Sequence, residues 1–279
     1  LQYTMKTGLV LEGGGMRGLF TAGVLDVMME RDIKVDGIVG VSAGACFGCN
    51  YISKQPGRIL RYNINMKNEP RYMGVRNLLR TGNLMDGEFA YHTLPDVLDP
   101  FDKETFNKSD VEYHIVCTDV LTGEPVYKHL TAPVNYEFME WLRASSSLPL
   151  VSKPVKVGGR LMLDGGMADS IPLKYFQEQG FERNIVVLTQ PLGFTKKRTK
   201  LMPLFRAFMR KYPAIIKIMN RRHLMYNAQL AYLAQEEKAG RITIIAPDDT
   251  LPIGRTEQNI EKMKRVYQMG REAAEKIFA

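Results

Sequence analysis

The sequence of 279 residues has no long uninterrupted apolar run. A helix that crosses a membrane needs about 20 predominantly apolar residues, so the sequence predicts no membrane span. The N-terminal stretch LQYTMKTGLVLEGGG lacks the basic, apolar and cleavage regions of a secretory signal peptide. Because 45% of the residues are hydrophobic and 24% are charged, we expect an ordinary globular protein of the cytoplasm with a sizeable core.

Cysteine is scarce, with three residues at positions 46, 49 and 117. An odd, low count argues against a disulfide framework and favours a reducing compartment. Cys46 and Cys49 match the C-x-x-C spacing, but a zinc site would need more ligands than these cysteines and a stray histidine offer. We therefore expect two small core thiols on a helix, and no metal site.

The first third of the chain alternates short apolar runs with helical patterns. TGLVLEG and DGIVGVS are typical of strands, whereas RGLFTAGVLDVMMERD and AGACFGCNYISKQ are typical of helices. This β-α-β-α order predicts an α/β fold with a mostly parallel sheet and right-handed crossovers. Further along, KPVKV and RLMLD flank a Gly-Gly pair and predict a β-hairpin, and the residues from Thr256 to Ile277 predict a final helix.

A glycine-rich loop follows the first predicted strand, and Gly13, Gly15 and Gly18 fit the spacing G-x-G-x-x-G. Dinucleotide-binding loops have this spacing, but they also need an acidic residue at the end of the second strand. Asp36 lies before that strand instead, and the loop lacks the Gly-Lys-Ser/Thr of a P-loop. The neighbouring residues therefore weaken a nucleotide-binding interpretation and leave the backbone N–H groups of the loop for another anion.

The second predicted strand runs into GVSAG at residues 40–44. A G-x-S-x-G motif between a strand and a helix is the setting of a nucleophile elbow. Gly40 and Gly44 suit the crowded backbone of a sharp turn, and Ser42 is held at a helix N-terminus, where the helix dipole favours negative charge. A glycine-rich turn whose serine caps the helix is the alternative, and this motif alone leaves both interpretations open.

A serine hydroxyl needs a base before it can attack a carbonyl carbon. None of the four histidines, His92, His114, His129 and His223, lies in a stretch that resembles the late, loop-borne histidine of the α/β-hydrolases. Asp164 lies where a predicted strand ends at a Gly-Gly turn, which is a common position for a functional side chain in open α/β sheets. An aspartate that only bonds the backbone of its own turn is the alternative.

Three motifs in this order resemble the patatin-like phospholipase family. They are GGGMRG from Gly13 to Gly18, GVSAG from Gly40 to Gly44, and DGG from Asp164 to Gly166, with ASSSLPLVSKPV before the hairpin as a further likeness. The resemblance covers residues 6–190, and the three motifs together are far more specific than any one of them. It implies a three-layer α/β/α core with a mostly parallel sheet and a helical C-terminal part.

The resemblance implies a Ser–Asp dyad in which Ser42 is the nucleophile and Asp164 is the proton acceptor, about 2.6–3.2 Å apart. It implies an oxyanion hole built from Gly13, Gly14, Gly15, Met16, Arg17 and Gly18. It assigns the nucleophile elbow to Gly40 and Gly44, and the turn after the base to Gly165 and Gly166. No metal or cofactor takes part in this chemistry.

Two positions near these motifs need separate comment. Arg17 has two interpretations: it adds positive charge near the oxyanion or a lipid phosphate, or it anchors the loop. Ser170 stands where members of the family often carry asparagine. We expect that change to affect bonding within the turn more than the chemistry.

The implied activity is that of a serine acyl hydrolase that cleaves lipid acyl esters. A soluble short-chain carboxylesterase or thioesterase is one alternative, and a catalytically inactive lipid-binding module is another. The presence of both Ser42 and Asp164 argues against the inactive module. We expect a lipid or acyl-ester substrate and no nucleic-acid partner, and the sequence indicates no particular oligomeric state.

The formal net charge is +8, and between Arg183 and Gln235 there are eleven lysines and arginines but no acidic residue. Within this segment one helical face carries Leu204, Phe205, Phe208 and Tyr212, another carries Arg206 and Arg210, and Pro213 then interrupts the pattern. A basic amphipathic helix suits an anionic membrane surface, which makes peripheral membrane contact one interpretation of this segment. A helix pair packed on the core with a solvated basic face is the alternative.

We expect residues 6–190 to form the catalytic domain. Residues 191–279 are then a helical and strand extension packed on that domain. The extension is expected to serve as a lid or as a membrane-facing element.

Overall fold

One β-sheet of eight strands lies at the centre of the computed structural model, which describes residues 5–279. The strands are β1 (Lys6–Leu11), β2 (Gly37–Val41), β3 (Glu112–Asp119), β4 (Pro125–Leu130), β5 (Val155–Val157), β6 (Arg160–Asp164), β7 (Phe181–Val187) and β8 (Ile242–Ile245). Their order is β5-β6-β3-β2-β1-β7-β8, and β4 pairs separately with β3. The five strands from β3 to β8 in this order are mutually parallel, which confirms the predicted mostly parallel sheet.

Helices cover the sheet and fill its connections. They are α1 (Leu19–Glu30), α2 (Ala43–Ile52), α3 (Arg58–Asn65), α4 (Val75–Thr81), α5 (Lys103–Asn107), α6 (Tyr136–Ser145), α7 (Leu173–Glu178), α8 (Met202–Phe208), α9 (Pro213–Lys238) and α10 (Ile260–Ile277). A π-helix spans Phe89–Leu98, and short 3₁₀ turns span Gly15–Gly18 and Gly165–Met167. No helix within residues 5–279 is both long enough and apolar enough to span a bilayer.

Side chains of the central strand β1 are buried on both faces of the sheet. Leu9 and Leu11 join one apolar cluster, which includes residues of α1 and α2. Val10, which points to the opposite face, joins a second cluster with Phe176 of α7 and Tyr226 of α9. Because successive side chains of a strand point to opposite faces, helices on both sides are needed to bury them. The three-layer α/β/α architecture is therefore confirmed.

Two strands share one edge of β3. A strand has two hydrogen-bonding edges, and β4 pairs with β3 along Tyr113–Thr118, which takes up one of them. On the other edge β2 runs parallel as far as Val41, opposite Val116. The antiparallel β6 occupies the continuation of the same edge, where Asp164 lies opposite Cys117. The last residue of β6 therefore meets the end of β2 at the point where β2 turns into α2.

The part of the chain after β7 is joined to the same sheet and core. β8 pairs in parallel with β7, and α10 packs along α1. In α8, Met202 and Phe205 are buried against Leu163 of β6, whereas Phe208 is 73% exposed. The prediction that Phe205 and Phe208 share one outward face is therefore wrong, because Phe205 points into a core cluster. The final helix begins at Ile260, after Asn259 caps it by accepting from Lys262 N, and not at Thr256.

Candidate active site

Ser42 lies at a strained turn between β2 and α2. Its backbone has φ 55° and ψ −122°, which is a region that residues other than glycine rarely adopt. Such strain costs about 1–3 kcal/mol and persists only where the surrounding structure enforces it, most often at functional sites. The side chain is nearly buried. This is the geometry of a nucleophile elbow, in which the turn directs a serine hydroxyl away from the strand.

The glycines of GVSAG are required by the close packing of the backbone around Ser42. A Cβ atom at Gly40 would lie 2.6 Å from the Ala45 backbone nitrogen. A Cβ atom at Gly44 would lie 2.5 Å from the carbonyl oxygen of Leu11 at the end of β1. Both distances are shorter than any normal contact, so larger residues at these positions would open the turn.

Ser145, at the end of α6, supports the backbone of the elbow. The Ser42 N–H donates to Ser145 Oγ at 3.0 Å, and that hydroxyl donates to the Val116 carbonyl of β3 at 2.7 Å. The three elements that surround the turn are thereby connected by two buried hydrogen bonds. The sequence did not reveal this role of Ser145, because nothing in the spacing of the serines in ASSSLPL shows which one faces Ser42.

Asp164 is held by its own turn and by two neighbouring segments of the chain. Oδ1 accepts from Gly166 N at 2.8 Å, while the Asp164 backbone pairs with Ser147 O and with the hydroxyl of Thr118, each at 2.8 Å. Oδ2 is buried and forms no hydrogen bond of standard geometry with any residue of the described chain. The Ser42 hydroxyl is nevertheless near enough to lower the pKa of this carboxyl. The two side chains are therefore adjacent.

Burial raises the pKa of Asp164 above the usual value for an aspartate. The Ser42 hydroxyl, the Arg222 guanidinium and the Gly166 N–H lower it again, but by less than burial raises it. A carboxylate that is poorly solvated is a stronger base than one in water. The raised pKa therefore makes the Asp164 carboxylate a stronger base than an ordinary aspartate.

The loop from Gly13 to Gly18 lies directly beside the elbow. A Cβ atom at Gly13 would be 2.8 Å from Ser42 Cβ, so this part of the loop touches the serine. Met16 N donates to the Arg255 carbonyl at 3.0 Å, and Arg17 N donates to the Gly14 carbonyl at 3.3 Å. Of the predicted loop, Gly18 packs near Phe47 of α2. The N–H groups of Gly13, Gly14 and Gly15 have no acceptor within residues 5–279 and remain free for a bound oxygen.

The turn after Asp164 is drawn tightly against β3 and held from the C-terminal part of the chain. A Cβ atom at Gly165 would lie 2.1 Å from the Val116 carbonyl. Gly166 O accepts from Ser170 Oγ at 2.7 Å and from Arg222 Nε at 2.5 Å. Ser170 therefore bonds within the turn, as expected, and the contact from Arg222 is one that the sequence did not reveal.

A cavity of about 380 Å³ opens beside Ser42. Its wall is mostly apolar, and includes Phe47, Tyr62, Tyr72, Leu84, Met85, Leu94, Phe101, Met139 and Leu142. Cys46 also lines it, and burial raises the pKa of this thiol, which leaves it neutral. No histidine from the described residues lines this cavity or the polar pocket next to it. The carboxylates that line the polar pocket are those of Glu12 and Asp164, and the Asp164 carboxyl is the one adjacent to the Ser42 hydroxyl.

Four cationic side chains line the polar pocket on the other side of the reactive pair, namely Arg17, Lys196, Arg222 and Arg255. The sequence pointed to Arg17 alone. Lys196 and Arg222 lie between Arg183 and Gln235, where an absence of acidic residues was the one available signal, and Arg255 lies beyond that stretch. That signal indicated a basic surface, and gave no indication that part of the charge faces inward.

Replacing Asp164 with asparagine should stabilise the fold. An acid whose folded-state pKa is raised costs stability at pH values above that pKa, and the cost disappears as the pH falls through it. The Asp164→Asn protein should therefore melt above the wild type at pH 7.5, by about 2–4 °C for each kcal/mol gained, with the difference shrinking towards pH 4. Thermal unfolding at both pH values checks this. The exposed Asp248→Asn variant is the matched control, and a lower melting temperature for Asp164→Asn at pH 7.5 would contradict the burial argument.

Several proteins are similar to this chain over part or most of its length. The "Uncharacterized protein YjjU" of Escherichia coli is 26% identical over 95% of this chain and 75% of its own length. An NTE family protein of Mycobacterium tuberculosis is 26% identical over 60% of this chain and 44% of its length. The "Lysophospholipase NTE1" of Kluyveromyces lactis is 28% identical over 70% of this chain, but this chain spans only 13% of it.

Among solved structures, VipD from Legionella pneumophila superposes with a TM-score of 0.48 at 12% identity, over 99% of this chain and 67% of that one. A family model described as "Domain of unknown function (DUF6363)" matches residues 212–279. The model of the patatin-like phospholipases matches residues 9–176, which include the elbow, the glycine-rich loop and Asp164. Since this match takes in more than half of the chain, the protein belongs to the patatin-like phospholipase family.

Proposed function

We propose that this protein is a serine acyl hydrolase that cleaves lipid acyl esters with the dyad Ser42–Asp164. One observation carries the proposal: β2 and β6 end against each other along one edge of β3. That arrangement brings a strained serine next to a buried carboxyl at the wall of an apolar cavity. A nucleophile, an adjacent base and a binding cavity are the parts that acyl transfer requires.

In the first step Ser42 Oγ attacks the carbonyl carbon of the ester, and its proton passes to Asp164 Oδ2. The carbonyl oxygen becomes an oxyanion, which the free N–H groups of Gly13, Gly14 and Gly15 stabilise from one side. The N–H of Ala43 and the dipole of α2 favour negative charge at the same point. When the tetrahedral intermediate collapses, Asp164 returns the proton to the leaving alcohol, and an acyl–Ser42 ester remains.

In the second step water attacks the acyl–Ser42 ester. Asp164 takes a proton from the water as its oxygen bonds to the carbonyl carbon, and the same donors stabilise the second oxyanion. Collapse then breaks the bond to Ser42 Oγ, which regains the proton. The products are a free fatty acid and the original enzyme, and every proton is carried by residues of this chain.

The substrate class is inferred from the cavity and from the relatives. A mostly apolar cavity of about 380 Å³ suits an acyl chain better than a short acetyl or propionyl group. A relative named a lysophospholipase and the family itself also support a lipid hydrolase. The short-chain esterase and thioesterase alternatives leave most of the cavity without a role. An inactive binding module would give the strained backbone of Ser42 no role.

Residues 191–279 complete the site in this proposal. The Arg255 carbonyl bonds to the glycine-rich loop, and Arg222 bonds to the turn after Asp164. We propose that residues 6–190 supply the catalytic groups and that the extension encloses them.

We also propose that α8 and the residues after it contact anionic membranes. Phe208 and Leu204 are exposed beside the exposed cations Arg206, Arg210 and Lys211. Apolar side chains next to cations are typical of a helix that lies at a membrane interface.

Both members of the dyad should be needed for activity. Ser42→Ala and Asp164→Asn should each remove nearly all hydrolysis of p-nitrophenyl esters across graded chain lengths, and the double variant should lose no more than the single ones, because the pair acts as a unit. A fluorophosphonate should label the wild type and not Ser42→Ala. An Asp164→Asn protein that stays active while a histidine variant is inactive would show that the base is misassigned, and an unlabelled wild type would favour the binding module.

The pH profile of kcat/KM should have an acid limb above the pKa of about 3.9 that an ordinary aspartate has. The base must be unprotonated, so activity falls as the pH drops through the raised pKa of Asp164. Arg222 lowers that pKa, and Arg222→Met should therefore move the limb to higher pH. The neighbouring exposed Arg221→Met should leave it in place. A limb at or below pH 4, or one that Arg222→Met does not move, would contradict the assignment.

Binding to vesicles should depend on lipid charge and on salt. Each lysine or arginine near an anionic surface contributes about 1 kcal/mol, and this attraction decays over about 10 Å at 0.1 M salt. Vesicle sedimentation should therefore show binding to anionic vesicles that weakens steeply with salt, and poor binding to neutral vesicles. The triple variant Arg206→Gln, Arg210→Gln, Lys211→Gln should bind more weakly while still hydrolysing a soluble ester.

The control for this experiment removes the same charge from a distant helix. Lys262, Lys264 and Arg265 of α10 are exposed, and their replacement with glutamine should leave vesicle binding almost unchanged. Equal loss in both triple variants would indicate a general charge effect. Equal binding of the wild type to neutral and anionic vesicles would exclude α8 as an electrostatic docking element.

A further inference from the structure

The polar pocket beside Ser42 carries more positive than negative charge. Four cations line it, and the carboxylates that line it are those of Glu12 and Asp164. Glu12 is already engaged, since it accepts from Thr189 N at 2.6 Å and from the Tyr226 hydroxyl at 2.7 Å. The pocket therefore has an excess of cations around a space that the protein itself does not fill.

These cations lack the ion pairs that other arginines of the chain have. Arg58 pairs with Asp99 and Arg271 with Glu30, whereas within residues 5–279 no carboxylate lies at ion-pair distance from Lys196 or Arg222. Arg17 Nε is buried without any hydrogen-bond partner. Cations that stay unpaired and partly buried are costly, and a bound anion would relieve that cost.

The pKa values of the pocket residues reflect the same excess charge. Burial, together with the nearby Arg222 and Arg255, lowers the pKa of Lys196 to about 7. Burial lowers the pKa of Arg17 and of Arg222 in the same way, with Arg255 as the next cause in both. The cations of the pocket thus repel one another. An anion placed among them would reverse this effect and raise all of these pKa values.

Two of the cationic groups, those of Arg222 and Lys196, are held in position by contacts within the protein. Arg222 donates to Gly166 O at 2.5 Å and approaches Ser170 Oγ at 3.4 Å. The Lys196 ammonium lies over the Tyr226 ring at 4.1 Å, and its backbone exchanges hydrogen bonds with the Asn227 side chain. A pre-organised cluster of this kind loses little side-chain entropy when it binds an anion.

The pocket adjoins the apolar cavity at the reactive serine. Gly15, Ser42, Leu148 and Arg255 line both spaces. A substrate whose ester lies over Ser42 would therefore have apolar wall on one side and cations on the other. Lipids in which a phosphate stands a few bonds away from an acyl ester have this distribution of groups.

We propose that Lys196, Arg222 and Arg255, together with Arg17, bind the phosphate group of a phospholipid substrate while its acyl chain occupies the apolar cavity. The proposal rests on the proposed function, because it assigns the polar half of the same site. Planar guanidinium groups match the oxygens of a phosphate, and an ammonium adds a point charge. The site thereby selects acyl esters that carry a phosphate over those that do not.

The test compares two lipids that differ in the phosphate alone. 1-Dodecanoyl lysophosphatidic acid carries a phosphate monoester, and 1-dodecanoylglycerol carries a hydroxyl in its place. Both are used below their critical micelle concentrations, and their dissociation constants are measured with the Ser42→Ala protein, so that binding is observed without turnover. Fatty-acid release by the wild type gives the corresponding ratio of kcat/KM values.

Ser42→Ala should bind the phosphate-bearing lipid about tenfold or more tightly than the neutral lipid, which is the effect of one charge-assisted hydrogen bond. Adding Lys196→Met, which keeps the stem over Tyr226 and removes the charge, should reduce this ratio to within about threefold of unity. Arg255→Gln should reduce it as well, and serves as a second variant should the first fold poorly. Lys197→Met, a change at the exposed neighbour of Lys196, should retain the ratio.

Inorganic phosphate distinguishes a lipid phosphate from a free anion. It should compete with the phosphate-bearing lipid and not with the neutral one. If phosphate binds in a manner that depends on Lys196 but the two lipids bind equally, the pocket takes free anions and the substrate assignment is overturned. Equal binding of the two lipids without any phosphate binding overturns it as well.

Failure of this inference and failure of the proposed function give different results. If the wild type releases no fatty acid from either lipid, the proposed hydrolase activity is refuted, and the binding ratio still decides whether the pocket recognises phosphate. If both lipids are hydrolysed with equal kcat/KM values and bound equally, the phosphate site is refuted and the hydrolase stands.

Discussion

The site depends on how two strands share the hydrogen-bonding edge of β3. With β4 on one edge, β2 and the antiparallel β6 must divide the other, and they approach it from opposite ends. The residue after β2 and the last residue of β6 then meet, although 121 positions (43 to 163) separate them in the sequence. Sheet hydrogen bonds fix both backbones, so no flexible loop determines the separation of the serine and the aspartate.

Several unfavourable features are concentrated at this junction. Ser42 has a strained backbone, Asp164 keeps a buried oxygen without a standard hydrogen bond, and Arg17 keeps a buried unpaired nitrogen. Each of these costs stability, and the apolar clusters on both faces of the sheet offset the cost. Proteins tolerate such local conflicts mainly where function requires them. Their coincidence around a single serine supports the proposal that Ser42 is the nucleophile.

Local sequence patterns predicted much of the fold and part of the candidate site. The strand–turn–helix around Ser42, the hairpin that ends at Asp164 and the parallel sheet each have short-range signals, namely alternating apolar runs and glycine turns. The inward position of Lys196 and Arg222 could not be predicted, because it depends on how α9 packs over the turn at Gly166. For the same reason a helical pattern placed Phe205 beside Phe208, whereas packing against β6 buries one and leaves the other in solvent.

The hydrogen bond from Met16 N to the Arg255 carbonyl and the bond from Arg222 to Gly166 join two regions with different family matches. Ser42 and Asp164 lie in the first region, and two of the four cations of the adjoining pocket, Arg222 and Arg255, lie in the second. In the proposed function, substitutions in the second region would alter which headgroup is bound while the chemistry of the first region is retained. Among related proteins, a change of substrate headgroup should then correlate with substitutions after residue 190. A sequence comparison limited to the catalytic motifs does not include that part of the chain.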